Sequence, residues 1–222
     1  GTIAKLVRQG YNVAMADLTQ GELGTRGTKE IRLKEAEAAA RILGAVARRN
    51  LRIPDGDVQV NSSNKRKLIS LIREFRPRTL FIPHSVDRHP DHTHTHILCK
   101  EAWFYAGLTK ISTKLNGKAQ VAYRPDNYFE FMQWHQFRPS FIVDISDTFD
   151  LKIKAAKAHA SQFYNPRSTE PETKLSDPAF FDLLKAEAEF YGHRIGVKYG
   201  EAFFTHNLVG VGDPMQVLTR RK

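Results

Sequence analysis

Helix-period and strand-period segments alternate along the first half of the chain, each closed by glycine or proline, and few architectures accommodate that pattern. Ile3, Ala4, Leu6 and Val7 recur at helical spacing and stop at Gly10. Tyr11–Leu18 reads as a short apolar strand ending near Asp17, and Thr28 as the N-cap of a helix over Lys29–Leu43 that Gly44 terminates. A strand is predicted over Leu51–Val60 with a Pro-Asp-Gly turn inside it, then a helix over Ser63–Phe75, ended before Pro77. Thr79–Pro83 is the next strand and Asp91–Tyr105 the helix after it. The order α-β-α-β-α-β-α is that of an α/β fold with a doubly wound, mostly parallel sheet and right-handed crossovers.

The second half is richer in aromatic residues. Strands are predicted over Ala119–Tyr123, Asn127–Gln133, Phe141–Ile145 and Glu201–Val211, and helices over Asp147–Ala160 and Phe180–Tyr191. The polar stretch Asn165–Asp177 reads as a long loop. A fold of this kind begins with a strand, whereas Gly1 leads straight into a helix, so a first strand and its loop are expected to be missing ahead of Gly1.

The length of 222 residues suits one domain spanning 1–222, and a hydrophobic content of 41% supplies a core. The formal charge of +10 comes from 34 Lys and Arg against 24 Asp and Glu. The basic residues are scattered, as at Arg48-Arg49, Lys65-Arg66-Lys67 and Arg220-Arg221-Lys222, without a basic-aromatic ladder. Nucleic acid is therefore not an expected partner. No apolar run reaches the roughly 20 residues needed to cross a bilayer, and no membrane association is expected. Cys99 is the only cysteine, which rules out an intrachain disulfide or a Cys-based zinc site and suits a cytoplasmic setting.

The chemistry concentrates in Phe81-Ile82-Pro83-His84-Ser85-Val86-Asp87-Arg88-His89-Pro90-Asp91-His92. Here a strand runs out into a helix start, the edge where α/β sheets bind ligands. Imidazole suits zinc, and a neighbouring carboxylate can orient the ring. His89 and His92 are the candidates, with Asp87, Arg88 and Asp91 woven in, and His94 and His96 read as helix surface or support. A hydrolytic zinc takes three protein ligands and an open position, so this cluster is half a site. The loop Gly21-Glu22-Leu23-Gly24-Thr25-Arg26-Gly27 matches no nucleotide motif but is expected to face substrate, with Arg26 able to grip a carboxylate or phosphate. Tyr199 and Glu201, after His193, border a pocket or simply pass from loop to strand. Nothing has the spacing of a serine triad.

Taken together, GELGTRGTKEIRLKEAEAAARILG, FIPHSVDRHPDHTHTH, PSFIVDISDTFDLK with the later SQFY, and GVKYGEAFF resemble the LmbE/PIG-L zinc-dependent N-deacetylases. Within that family the chain is most similar to the bacillithiol-pathway members that act on N-acetylglucosaminyl-malate. The resemblance implies an LmbE-like, Rossmann-type three-layer sandwich and a Zn2+ cofactor. It implies that His92 ligates the metal, that His89 stabilises the oxyanion with Asp91 behind it, and that Arg26, Arg88 and Tyr199 contact substrate. The implied partner is a small N-acetylated amino-sugar conjugate, and the implied assembly a homo-oligomer such as a hexamer, with Tyr128–Phe137 either contact surface or core strand. The family's first motif, His-Pro-Asp-Asp, carries two metal ligands and the general base and is expected before Gly1; residues 1–222 alone are expected to be inactive. Two alternatives remain: a deacetylase of another N-acetylglucosaminyl compound, and a non-catalytic sugar-binding relative.

Overall fold

Glycine and short polar side chains set the helix ends in the computed structural model, which describes residues 1–217. The trio Arg220-Arg221-Lys222 lies outside the described residues. The elements in chain order are α1 (Thr2–Arg8), β1 (Ala14–Asp17), α2 (Lys29–Leu43), β2 (Ala47–Asn50), α3 (Ser62–Phe75), β3 (Thr79–Pro83) and α4 (Pro90–Ala106). They continue with β4 (Lys114–Leu115), β5 (Lys118–Ala119), β6 (Asn127–Phe131), β7 (Phe141–Asp144), α5 (Phe149–Lys157), α6 (Phe180–Arg194) and β8 (Gly200–Phe204). The α/β class expected from sequence is the one observed. Among the described residues no helix is long and apolar enough to cross a membrane.

Two compact units divide the chain: residues 1–50, 141–202 and the stretch from 208 make the first, residues 51–140 and 203–207 the second. In the first, α2 begins at Thr28, whose hydroxyl accepts the Ile31 amide, and ends at Gly44 in the left-handed conformation that suits glycine. Its alanine face lets α1 and α5 approach, and Ala4, Ala39, Leu43 and Ala155 form one core cluster. Strand β1 pairs in parallel with β2, Ala14 opposite Ala47 and Asp17 opposite Asn50. The strand expected over Leu51–Val60 therefore lies earlier, in Ala-Arg-Arg-Asn, which has no apolar alternation. What holds it is Arg48, which forks onto both Asp17 carboxylate oxygens at 2.6 and 2.7 Å and donates to the Ala36 carbonyl at 2.8 Å. A second cluster joins Ile145, Phe149, Ala188 and Tyr199.

In the second unit β3 pairs in parallel with β6 from Thr79–Asn127 to Pro83–Phe131. The far side of β6 meets β8 antiparallel, with Glu130 opposite Phe204. Parallel pairing thus covers β1–β2 and β3–β6, and antiparallel pairing covers β6–β8 and the β4–β5 hairpin. That hairpin turns through Asn116 and Gly117, both at positive φ as a tight two-residue turn requires. It stands where the apolar pattern predicts a strand over Ala119–Tyr123; Tyr123 instead sends its hydroxyl to the Pro77 carbonyl at 2.9 Å.

Helices α3 and α4 pack together over β3. Their joint is polar at one end, where Arg73 of α3 is buried and donates to the carbonyls of Ala106, Leu108 and Ile111 and to the Thr113 hydroxyl, at 2.7 to 3.0 Å. One planar fork thus binds three carbonyls at and just after the end of α4, two of which, Ala106 and Leu108, also accept the amides of Tyr123 and Ile111. Lysine cannot reproduce that geometry. Arg73→Lys is expected to lose about 2–4 kcal/mol, the scale of a lost set of hydrogen bonds from a buried charged donor, measured by denaturant unfolding; an unchanged midpoint would show that water replaces the fork at no cost.

Candidate active site

Strand β3 ends at Pro83 and α4 starts at Pro90, so the site segment hangs between two points the sheet and helix hold. Proline at the first helical position has no N–H to leave unpaired. His89 is the N-cap, in extended backbone, and its Nδ1 accepts the Asp91 amide at 3.2 Å. An accepting nitrogen carries no proton, so this bond assigns the His89 proton to Nε2. The His89 and His92 rings stack at 4.8 Å with 25° between their planes.

Asp87 organises the segment. Its side chain is 4% exposed. Oδ1 accepts the His89 amide at 2.9 Å and lies 2.9 Å from His92 Nδ1, while Oδ2 accepts the Trp134 amide at 3.1 Å. Burial pulls the Asp87 pKa up, but the His89 amide, the His92 ring and the Trp134 amide together outweigh it and hold the carboxyl below the usual carboxylate range. The stability this contributes is present above about pH 4 and is lost as pH falls through the depressed value. With Nδ1 directed at Asp87, the free nitrogen of His92 is Nε2, which has Gln133 Nε2 at 3.5 Å. This is the carboxylate–imidazole arrangement that orients metal-binding histidines. The sequence places Asp87 in the cluster without assigning it this task.

Asp91 is occupied elsewhere. It is buried, and its two oxygens accept the amides of Gly56 at 2.8 Å and Val58 at 3.2 Å. The carboxylate therefore ties the Pro54–Val58 turn to the start of α4; the bond between Asp91 and His89 is the backbone one. Arg88 stacks its guanidinium 4.2 Å over the Trp134 ring. His94 is exposed, whereas His96 is buried under β3, with Nδ1 3.0 Å from the Pro83 carbonyl.

A second polar group lies at the same strand ends, and nothing local announces it. Glu130 of β6 is 0% exposed, with Oε2 2.6 Å from His84 Nδ1. His96 Nδ1 stands 3.8 Å from the same oxygen, and His206 Nε2 3.6 Å from Oε1.

In the first unit, the Gly-rich loop is clipped from below by Arg32, which donates to the carbonyls of Arg26 at 3.0 Å and Gly21 at 3.3 Å. A side chain at Gly24 would meet that guanidinium and push it from its place. Arg26 is 5% exposed; it donates to the Phe163 carbonyl at 3.3 Å and its Nε lies 3.7 Å from Glu170, whose other oxygen accepts the Gly27 amide. Tyr199 belongs to the core, stacked on Phe149 at 3.9 Å, so its ring is not on a pocket rim. Among the described residues no three His, Cys, Asp or Glu side chains converge to hold a metal ion. His92 is one oriented donor, and the remainder of a zinc site is not formed by these residues.

Removing the Asp91 carboxylate while leaving its amide separates the two tasks sequence and structure give it. Asp91→Ala orphans two backbone amides and is expected to lower stability by about 2–4 kcal/mol, with faster hydrogen exchange at Gly56 and Val58. Unchanged stability and exchange, with only activity lost, would place the carboxylate behind His89 instead.

Residues 1–103 match the family model described as PIG-L: GlcNAc-PI de-N-acetylase. The conserved protein TT1542 from Thermus thermophilus superposes with a TM-score of 0.82 at 35% identity, covering 95% of this chain and 89% of that one. The N,N'-diacetylchitobiose deacetylase of Pyrococcus horikoshii is 28% identical with a TM-score of 0.70, over 91% of this chain and 75% of that one. The diacetylchitobiose deacetylase of Thermococcus kodakarensis is 29% identical over 211 residues, 90% of this chain and 74% of that protein. With the His-Pro-Asp-His segment on its strand-to-helix edge and a 35% identical relative along nearly its whole length, the chain belongs to the PIG-L/LmbE family.

Proposed function

We propose that this protein is a zinc-dependent N-deacetylase that hydrolyses the acetamide of an N-acetylglucosaminyl conjugate, with N-acetylglucosaminyl-malate of bacillithiol biosynthesis as its substrate. The observation that carries the reading is the Asp87–His92 pair, which directs the Nε2 of His92, met otherwise by a long 3.5 Å contact from Gln133, beside the stacked ring of His89. The names of the relatives favour a second reading of the substrate, N,N'-diacetylchitobiose. In the first reading Arg88, placed 4.2 Å over the Trp134 ring, offers its guanidinium to the malate carboxylates.

Zinc, when bound, would polarise the acetamide carbonyl and acidify a water; of the described residues His92 is the one that would ligate it. The chain's own residues contribute orientation and hydrogen bonding. Asp87 holds the His92 ring at a fixed angle and tautomer. His89 has its proton on Nε2 because Nδ1 accepts the Asp91 amide, so it can donate to the oxygen that gains charge as the amide carbon becomes tetrahedral. That donation needs no carboxylate behind the ring, which agrees with the Asp91 oxygens being bound to Gly56 and Val58. A donor aimed at a developing oxyanion contributes roughly 10²–10³ in kcat.

The decisive assay follows acetate release from N-acetylglucosaminyl-malate, N,N'-diacetylchitobiose and N-acetylglucosamine by the full-length protein with zinc. A kcat/KM at least tenfold higher for the malate conjugate supports the first reading, the reverse order supports the second, and no release from any of the three refutes both.

Metal analysis divides the roles of the residues. His89→Ala is expected to retain zinc and lose about 10²–10³ in kcat. His92→Ala is expected to lose the metal, and Asp87→Asn to weaken its binding about 10- to 100-fold. Equal metal loss in the His89 and His92 variants would refute this division.

A further inference from the structure

We infer that His84, held by the buried carboxylate of Glu130 and flanked by Phe137 and Phe204, is a saccharide subsite that accepts a hydrogen bond from a sugar hydroxyl of the substrate. The inference rests on the reading of the substrate as an N-acetylglucosamine compound, and names the part of this chain that would grip the sugar itself.

Glu130 lies one residue from the end of β6, between Ile82 of β3 and Phe204 of β8, and is fully buried. A carboxylate in such a place is strongly disfavoured unless donors surround it. Among the described residues three imidazoles approach it, from β3, α4 and the exit of β8: His84 at 2.6 Å, His96 at 3.8 Å and His206 at 3.6 Å. His96 Nδ1 is directed at the Pro83 carbonyl at 3.0 Å, so the short bond is His84's. A carboxylate accepts, so His84 Nδ1 carries a proton, and in the neutral ring Nε2 is then an acceptor.

The surroundings match what a sugar ring needs. Hydroxyls donate to a fixed acceptor, while the C–H faces of a pyranose lie on apolar rings. His84 keeps 14% of its side chain exposed. The Phe137 ring is 4.5 Å from it and the Phe204 ring 5.4 Å, and Trp134, 38% exposed, belongs to the same stretch. The two carboxylate–imidazole pairs are also bracketed by the same two segments. In one, His84 and His92 lie on either side of Asp87; in the other, Gln133 reaches His92, the Trp134 amide reaches Asp87, and Phe137 reaches His84. One pair is thus placed for the acetamide and the other for the sugar that carries it.

The test compares monodeoxy analogues of the substrate, assayed for kcat and KM, in the wild-type protein and His84→Ala. One analogue should lose about three- to tenfold in kcat/KM with the wild type, the size of one neutral hydrogen bond. The same analogue should lose nothing further in His84→Ala, and the loss should fall on KM. Penalties of equal size in both proteins would overturn the subsite. Glu130→Gln, whose amide oxygen still accepts from Nδ1, should retain most of the preference.

Imidazole ¹⁵N spectra of the wild type, titrated with N-acetylglucosamine, give a readout free of turnover, and His84→Gln replaces His84→Ala if the latter does not fold. Movement of the His84 signals with no acetate released from any of the three compounds upholds the subsite and refutes the deacetylase. Acetate release with unmoved His84 signals and undiminished deoxy penalties does the opposite. Neither release nor movement refutes both.

Discussion

The site segment depends on one buried carboxylate that accepts from three places at once. Asp87 takes the amide of His89, the ring of His92 and the amide of Trp134. The first bond shapes the chain as it enters α4, the second orients an imidazole, and the third anchors the stretch after β6. Without a negative charge at this point, the residues between Pro83 and Pro90 would have no common partner, because a loop of this length has no ladder of its own. Its lowered pKa states the same fact thermodynamically: the folded protein binds the ionised form better than the unfolded chain does.

Features written in adjacent residues are legible in the sequence itself. Thr28 and Gly44 bracket α2, β3 runs over Thr79–Pro83 as its apolar pattern requires, and Pro90 opens α4. Each is a local preference of backbone or cap that needs no distant partner. Strand β2 shows the opposite case. Ala-Arg-Arg-Asn looks like a solvated charged turn until Asp17, 31 residues away, supplies the carboxylate for Arg48. The apolar residues that suggest a strand just after it, Ile53 and Val58, are indeed buried at 0 and 1% exposure. Their alternation records burial, which a pinned turn satisfies as well as a strand.

The candidate site divides along the same line. Its histidines and aspartates are visible as a cluster, but which carboxylate serves which ring is not, since both Asp87 and Asp91 lie within reach of both histidines in sequence. The choice is made by the Gly56 and Val58 amides, 35 and 33 residues from Asp91, which engage its two oxygens and leave Asp87 for His92. Glu130 is 46 residues from His84 and reads locally as one polar position in an aromatic strand. Tyr199 is ambiguous for a different reason: an aromatic beside a glycine suits a pocket rim and a core equally well, and here it packs on Phe149 in a core cluster.

A buried glutamate inside β6, between two neighbouring strands, is not a choice that stability alone explains. A leucine there would fill the space between β3 and β8 without the desolvation that an ion in a sheet interior incurs. The carboxylate is retained together with imidazoles from β3, α4 and the exit of β8, each on a separate element, and the shortest contact belongs to the residue that opens the site segment. An arrangement that gives up stability to set one ring's tautomer, a few residues from a second ring set the same way by Asp87, has the form of a binding surface whose acceptors must be fixed before a ligand arrives. The strand-to-helix edge that reads in sequence as half a metal site is then one end of a longer surface, running from His92 along Gln133 and Trp134 to His84 and Phe137.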